Sequence, residues 1–97
     1  KINWNNTANK IIGQINGLYP NPGAWFNFNG ERYKILSARI SEKKGQIGIV
    51  LSENLEVGCI DFSIEIMLIQ RQGKQAQKKN EFMMGSRIQK GSNLQNE

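Results

Sequence analysis

Residues 19–33 read YPNPGAWFNFNGERY, and this stretch limits the fold more than any other. Asn29-Gly30 is a two-residue hairpin signal, because both residues tolerate the positive φ that a type I′ turn demands. Before it, Ala24, Phe26 and Phe28 alternate with Trp25, Asn27 and Asn29, so a strand with one apolar face enters the turn. The returning run ERYKILSARIS places Tyr33 and Ile35 on one face but Leu36, Ala38 and Ile40 on the other. A bulge or bend at 35–37 accounts for the switch, and small closed barrels need such devices.

Helical spacing precedes this region. Asn5-Asn6-Thr7 cap a helix over about 7–17, with Ala8, Ile11, Ile12 and Ile15 as its apolar stripe, Trp4 folding back onto Ala8 or Ile11, and Gly17 as its stop. Pro20 and Pro22 then force an extended connection, since each fixes φ and disfavours helix in the residue ahead. Downstream, three strands are expected at 46–51, 55–60 and 63–71, with turns at 52–54 and 61–62. In the last strand Ile64, Ile66 and Leu68 share one side, and Met67 and Ile69 the other. Asn80 then caps a short helical turn, EFMM, that Gly85 ends. The reading is one domain over residues 1–97, mainly β: a small OB-like barrel with an N-terminal helix and a short late helical turn, an SH3-like barrel being the rival.

Five aromatics fall in 18–35, which raises the question of a base-stacking platform. Phe26 and Phe28 share the apolar face and read as core. Trp25 faces the other way and suits either packing under the helix or stacking on a base. No Phe, Tyr or Trp follows between 34 and 61, so later strands add nothing to such a platform.

The charge is unevenly placed. Of a net +5, all comes from 71–90, where Arg71, Lys74, Lys78, Lys79, Arg87 and Lys90 face one acid, Glu81; elsewhere seven bases and seven acids cancel. Six cations in twenty residues form the footprint of a polyanion partner, the bland alternative being a solvated loop. A membrane surface fits less well, because no basic amphipathic helix accompanies the charges. Catalysis is poorly supplied: the chain has no histidine, a single aspartate (Asp61) and glutamates without dyad spacing. No catalytic, cofactor-binding or metal-ligating residue is expected. The lone cysteine, Cys59, sits in an apolar alternation and reads as a buried thiol. The expected compartment is the cytoplasm, and the first residue, Lys1, reads as mid-protein.

INW at 2–4, YPNPGAW at 19–25, NGERYKI at 29–35, GQIGIVL at 45–51, IMLIQ at 66–70 with Gly73-Lys74, and EFMMGSRI at 81–88 together resemble the C-terminal domain of methionyl-tRNA formyltransferase. The resemblance covers essentially the whole chain, with Asn16, Asn21, Phe62 and Arg71 departing from the family pattern. It implies an OB-type barrel that helps hold initiator tRNA. It also implies a separate N-terminal catalytic domain that takes 10-formyltetrahydrofolate as formyl donor, leaving no cofactor to this chain. On that view Lys74, Lys78 and Lys79 touch phosphates and Arg71, Arg87 and Lys90 flank them; changing the three lysines to Glu should abolish tRNA binding with the thermal midpoint nearly unchanged. Two other readings compete: a purely structural barrel of a related formyltransferase (sugar-nucleotide or 10-formyltetrahydrofolate dehydrogenase type), with Trp25 and Trp4 as interdomain surface, and a free-standing OB nucleic-acid-binding protein.

Overall fold

The computed structural model describes residues 1–95. Helix α1 runs Ala8–Leu18, with Thr7 as N-cap accepting the Lys10 N–H at 3.2 Å. Asp61 supplies a second cap from a distant loop, accepting the Ala8 N–H at 2.9 Å. Ala8, Ile11 and Ile15 are buried, and Ile12 is half-buried beside them. The helix passes through Gly17 and ends at Leu18, with Tyr19 already extended. The stop is therefore the proline stretch, which holds the residue before Pro20 out of the helical region, and not Gly17.

Strands β1 (Ala24–Phe28) and β2 (Glu31–Ser41) form the expected hairpin. Asn29 (φ 51°) and Gly30 (φ 77°) supply its two positive dihedrals. β2 continues antiparallel to β4 (Ser63–Arg71), and the register slips between Ile35 and Ser37 where the face switch predicts a bulge. A second slip follows at once: Ser37 pairs with Leu68 but Ala38 with Ile66, leaving Met67 as an extra residue on β4. This corrects the expected facing of β4. Ile64 and Ile66 are fully buried before the slip and Ile69 after it, while Leu68 is only half-buried.

The other edge of β4 is shared. β3 (Glu56–Gly58) pairs with its first half and β5 (Ala76–Lys78) with its second. The result is a mainly β half-barrel in the order β1-β2-β4-β3, with β5 also on β4. The strand expected at 46–51 is not a strand. Gly48, at φ 76°, turns the chain there, so Ile47 bridges Gly58 in parallel while Val50 bridges Val57 antiparallel and Ile49 reaches Asn93. The strand expected at 55–60 shortens at both ends: Leu55 has φ 56°, and the Cys59 and Ile60 N–H groups turn to Phe62 O and Asn6 O. Helix α2 (Lys79–Gly85) starts directly after β5, so its N-cap is Lys78 and Asn80 lies inside the helix.

The core gathers Trp4, Ile11, Ile15, Phe26, Ile35 and Ile66 from every layer. A chain of rings crosses it: Trp4–Phe26 at 6.2 Å, Phe26–Tyr33 stacked at 5.4 Å, and Tyr33–Phe82 edge-on at 6.0 Å. Trp4 is thus an interior residue, 1% exposed, and offers no interdomain surface. Among the described residues no helix is long and apolar enough to cross a membrane.

Candidate nucleic-acid interface

Cross-strand pairing sorts side chains between the two sheet faces, because partners in register point the same way. Ala24, Ile35 and Ile69 are mutual partners on the inner, buried face, as are Phe26, Tyr33 and Arg71. Trp25, Lys34, Gln70 and Ala76 form the adjacent row on the outer face. Lys78, two residues beyond Ala76 on β5, joins them there.

The six basic residues singled out in 71–90 are not one cluster. Arg71 grips Glu31 through two hydrogen bonds, at 2.5 and 2.7 Å, and this contact holds the Glu31 carboxyl below its ordinary range. With Arg87 it lines a cavity of about 490 Å³ on the inner side, beside Tyr33, Phe82 and Glu81. Lys79 sits elsewhere, 15% exposed at its side chain, in an ion pair with the buried Glu65. The second Glu65 oxygen accepts from Arg39 Nε at 2.8 Å, so both oxygens are satisfied. Burial, with Arg39 close by, pulls the Lys79 ammonium below its ordinary value. Neighbouring Glu56 is held low by hydrogen bonds from Ser41 and Ser52. Lys74, Lys78 and Lys90 are exposed, Lys74 in the β4–β5 turn where Gly73 takes φ 76°.

Three of the six, Lys74, Lys78 and Lys90, therefore stand in solvent without an ion pair among the described residues, and Arg87 joins them at the cavity mouth. The basic segment is not a loop; its cations are spaced by β5 and α2. A triple change of Lys74, Lys78 and Lys79 to Glu would push a carboxylate against Glu65, so the thermal midpoint would fall with it.

Charge on the outer face was missed by summing along the sequence. Arg32 places its guanidinium carbon 3.7 Å from the Trp25 ring centre, and Lys34 Nζ reaches Asn21 Oδ1 at 3.4 Å. The signal was available, because Asn29-Gly30 fixes the hairpin register and with it the pairs Trp25–Lys34 and Asn27–Arg32.

Cys59 is a free, buried thiol, pushed up to about 11 by burial and the nearby Asp61 charge. Among the described residues no three Cys, Asp or Glu groups come together as a metal site. The Asp61 carboxyl is held low by the Ala8 and Phe62 N–H groups, an architectural use of the only aspartate.

Residues 1–87 match the family described as formyl transferase, C-terminal domain. The chain is 56% identical over 97 residues to the methionyl-tRNA formyltransferase of Pelagibacter ubique (strain HTCC1062), covering 99% of this chain and 31% of that protein. It is 42% identical over 91 residues to the methionyl-tRNA formyltransferase of Cereibacter sphaeroides (strain ATCC 17025 / ATH 2.4.3), covering 94% and 30%. Against that of Ruegeria pomeroyi (strain ATCC 700808 / DSM 15171 / DSS-3) the identity is 39% over 94 residues, covering 97% and 31%. The chain thus spans about a third of the length of these relatives. It belongs to the formyl transferase C-terminal domain family.

Proposed function

We propose that this chain is the tRNA-docking part of a methionyl-tRNA formyltransferase, working beside a catalytic domain that moves the formyl group from 10-formyltetrahydrofolate to the initiator Met-tRNA in the cytoplasm. The chain itself takes no cofactor and does no chemistry. The observation that carries this reading is the set of solvent-facing cations on the β4–β5 turn and β5, Lys74 and Lys78, with Arg87 and Lys90 beyond α2. Such groups neutralise phosphates and position a folded RNA without reading its sequence. Sequence choice and bond making then fall to the catalytic partner.

Changing Lys74 and Lys78 to Glu tests this. Both are exposed and outside any ion pair among the described residues, so folding should be untouched while tRNA affinity at about 50 mM salt falls at least tenfold. Undiminished binding by that variant would remove these residues from the interface. A free-standing single-strand binder is less well supported. Phe26 and Tyr33 are core rings and Trp25 is capped by Arg32, so these three hairpin rings form no open stacking platform for bases. A purely structural role draws on exposed Ile60 and Phe62 in the β3–β4 connection, 55% and 38% exposed. That surface is compatible with contact to the catalytic domain and includes none of the cations assigned to RNA.

A further inference from the structure

We propose that the docking surface extends across the outer face of β1 and β2, where Arg32 and Lys34 bind phosphates of the same RNA and Trp25 serves as the seat of Arg32. This rests on the tRNA-docking reading above and names residues outside the basic segment. Arg32 and Trp25 are diagonal neighbours across the hairpin, a placement from which a long side chain reaches an aromatic ring. At 3.7 Å from the ring centre the guanidinium is held by stacking and cation–π attraction, and its N–H fork remains at the surface. A pre-held arginine loses less rotamer freedom when it meets a phosphate than one drawn from solvent. Trp25 is therefore not a base platform but the support for a cation.

The surroundings favour an anion. Asn27, Arg32, Lys34, Gln70, Ala76 and Lys78 share this face, and none is acidic. Glu31, next in sequence to Arg32, points to the other side and is occupied by Arg71. A shallow cavity of about 240 Å³, lined by Arg32, Lys34, Gln70 and Gln72, opens between the strands. Gln70 also donates to Lys74 O at 3.0 Å, which ties the β4–β5 turn that carries Lys74 to the outer-face row. From β2 across β4 to β5 is about two strand spacings, roughly 10 Å, and Lys78 lies two residues further along β5, roughly 7 Å, so the Lys34 and Lys78 backbones are about 12 Å apart. One backbone can cross Lys34 and Lys78 together.

The test replaces Arg32 and Lys34 with Gln in this chain and measures initiator tRNA binding at about 50 and 200 mM salt. Losing the two phosphate contacts of Arg32 and Lys34 should make R32Q/K34Q weaken about 7- to 12-fold less across that range than the unaltered chain does. The tryptophan emission should also change on binding, and Trp25→Phe should remove that change, since Trp4 is buried. Arg32→Lys keeps the charge and should retain the salt dependence while losing part of the affinity. If R32Q/K34Q weakens with salt as steeply as the unaltered chain, the proposal fails and the docking role of Lys74 and Lys78 stands. If the unaltered chain does not bind tRNA at about 50 mM salt, the docking reading fails and this proposal with it. Equal affinity for anionic vesicles and tRNA would also overturn it, because the surface would then be a general polyanion patch.

Discussion

Replacing Lys79 with methionine separates structural charge from docking charge. Glu65 is 8% exposed, and each of its oxygens has one cationic partner. The two partners are unequal: the Arg39 side chain is 65% exposed and largely hydrated, whereas Lys79 is 15% exposed and shares the burial of the acid. Breaking a fully buried pair by removing one partner costs about 3–5 kcal/mol, because a desolvated charge is left behind. Here Arg39 still holds one oxygen, so a cost of about 1.5–3 kcal/mol is expected, a fall of roughly 6–20 °C in Tm for a domain of this size. Urea unfolding followed by circular dichroism at neutral pH reads the difference directly. Adding Glu65→Gln should recover part of the loss, because the orphaned charge disappears. An unfolding free energy for Lys79→Met within about 0.5 kcal/mol of the parent, with a tRNA affinity lowered as Lys74→Met lowers it, would refute the assignment and return Lys79 to the docking surface.

Other perturbations probe the frame. Gly58→Ala should cost about 3 kcal/mol or more, or prevent folding, because a Cβ there would overlap the Gln46 carbonyl oxygen, which is backbone and cannot swing aside; the yield of soluble chain and its urea midpoint report it. Cys59 should resist a thiol reagent at pH 8 until the chain unfolds. Its folded pKa lies above the unfolded one, so the stability it contributes is full below about pH 9 and is lost as pH rises toward about 11, which a series of urea melts would show. Asp61 runs the other way. Its pKa is depressed, so the cap it gives α1 is present above the unfolded carboxyl range and disappears as pH falls through the folded value; Asp61→Asn should flatten the acid limb of a stability–pH curve.

The hairpin, its type I′ turn, the bulge and α1 were legible because each rests on a local rule: paired positive φ at Asn29-Gly30, alternation, and a capped apolar stripe. What escaped is non-local. The second slip at Met67 answers the first and restores pairing, yet nothing in SIEIMLIQR marks it. The 46–51 segment alternates like a strand but spends its polar groups on two different partners around Gly48. Strand β5 was invisible because AQK has no apolar alternation; it exists because β4 outruns β3 and leaves an edge to be paired. The candidate site suffered in the same way. Six cations could be counted in 71–90, but Arg71 and Lys79 had partners forty and fourteen positions upstream in Glu31 and Glu65.

Charge counted along a chain and charge presented to a partner are different quantities, and the difference here has a direction. Three acids near the docking region are already engaged, Glu31 by Arg71, Glu65 by Arg39 and Lys79, and Glu56 by two serine hydroxyls, while Glu81 stays exposed on α2. Each engagement offsets a negative group that RNA would otherwise meet. Lys74, Lys78 and Arg32 are left exposed, and Lys34 half-buried, without a carboxylate partner among the described residues. The sheet also turns Glu31 and Arg32, adjacent in sequence and cancelling in any sum, to opposite faces. A segment whose net charge is only +1, residues 1–70, can therefore contribute more positive potential on one face than its sum indicates. Reversing the sorting is the sharpest challenge to the idea. Asn27→Glu would put a carboxylate directly across from Arg32 without touching the core, and should lower tRNA affinity as much as deleting the arginine does.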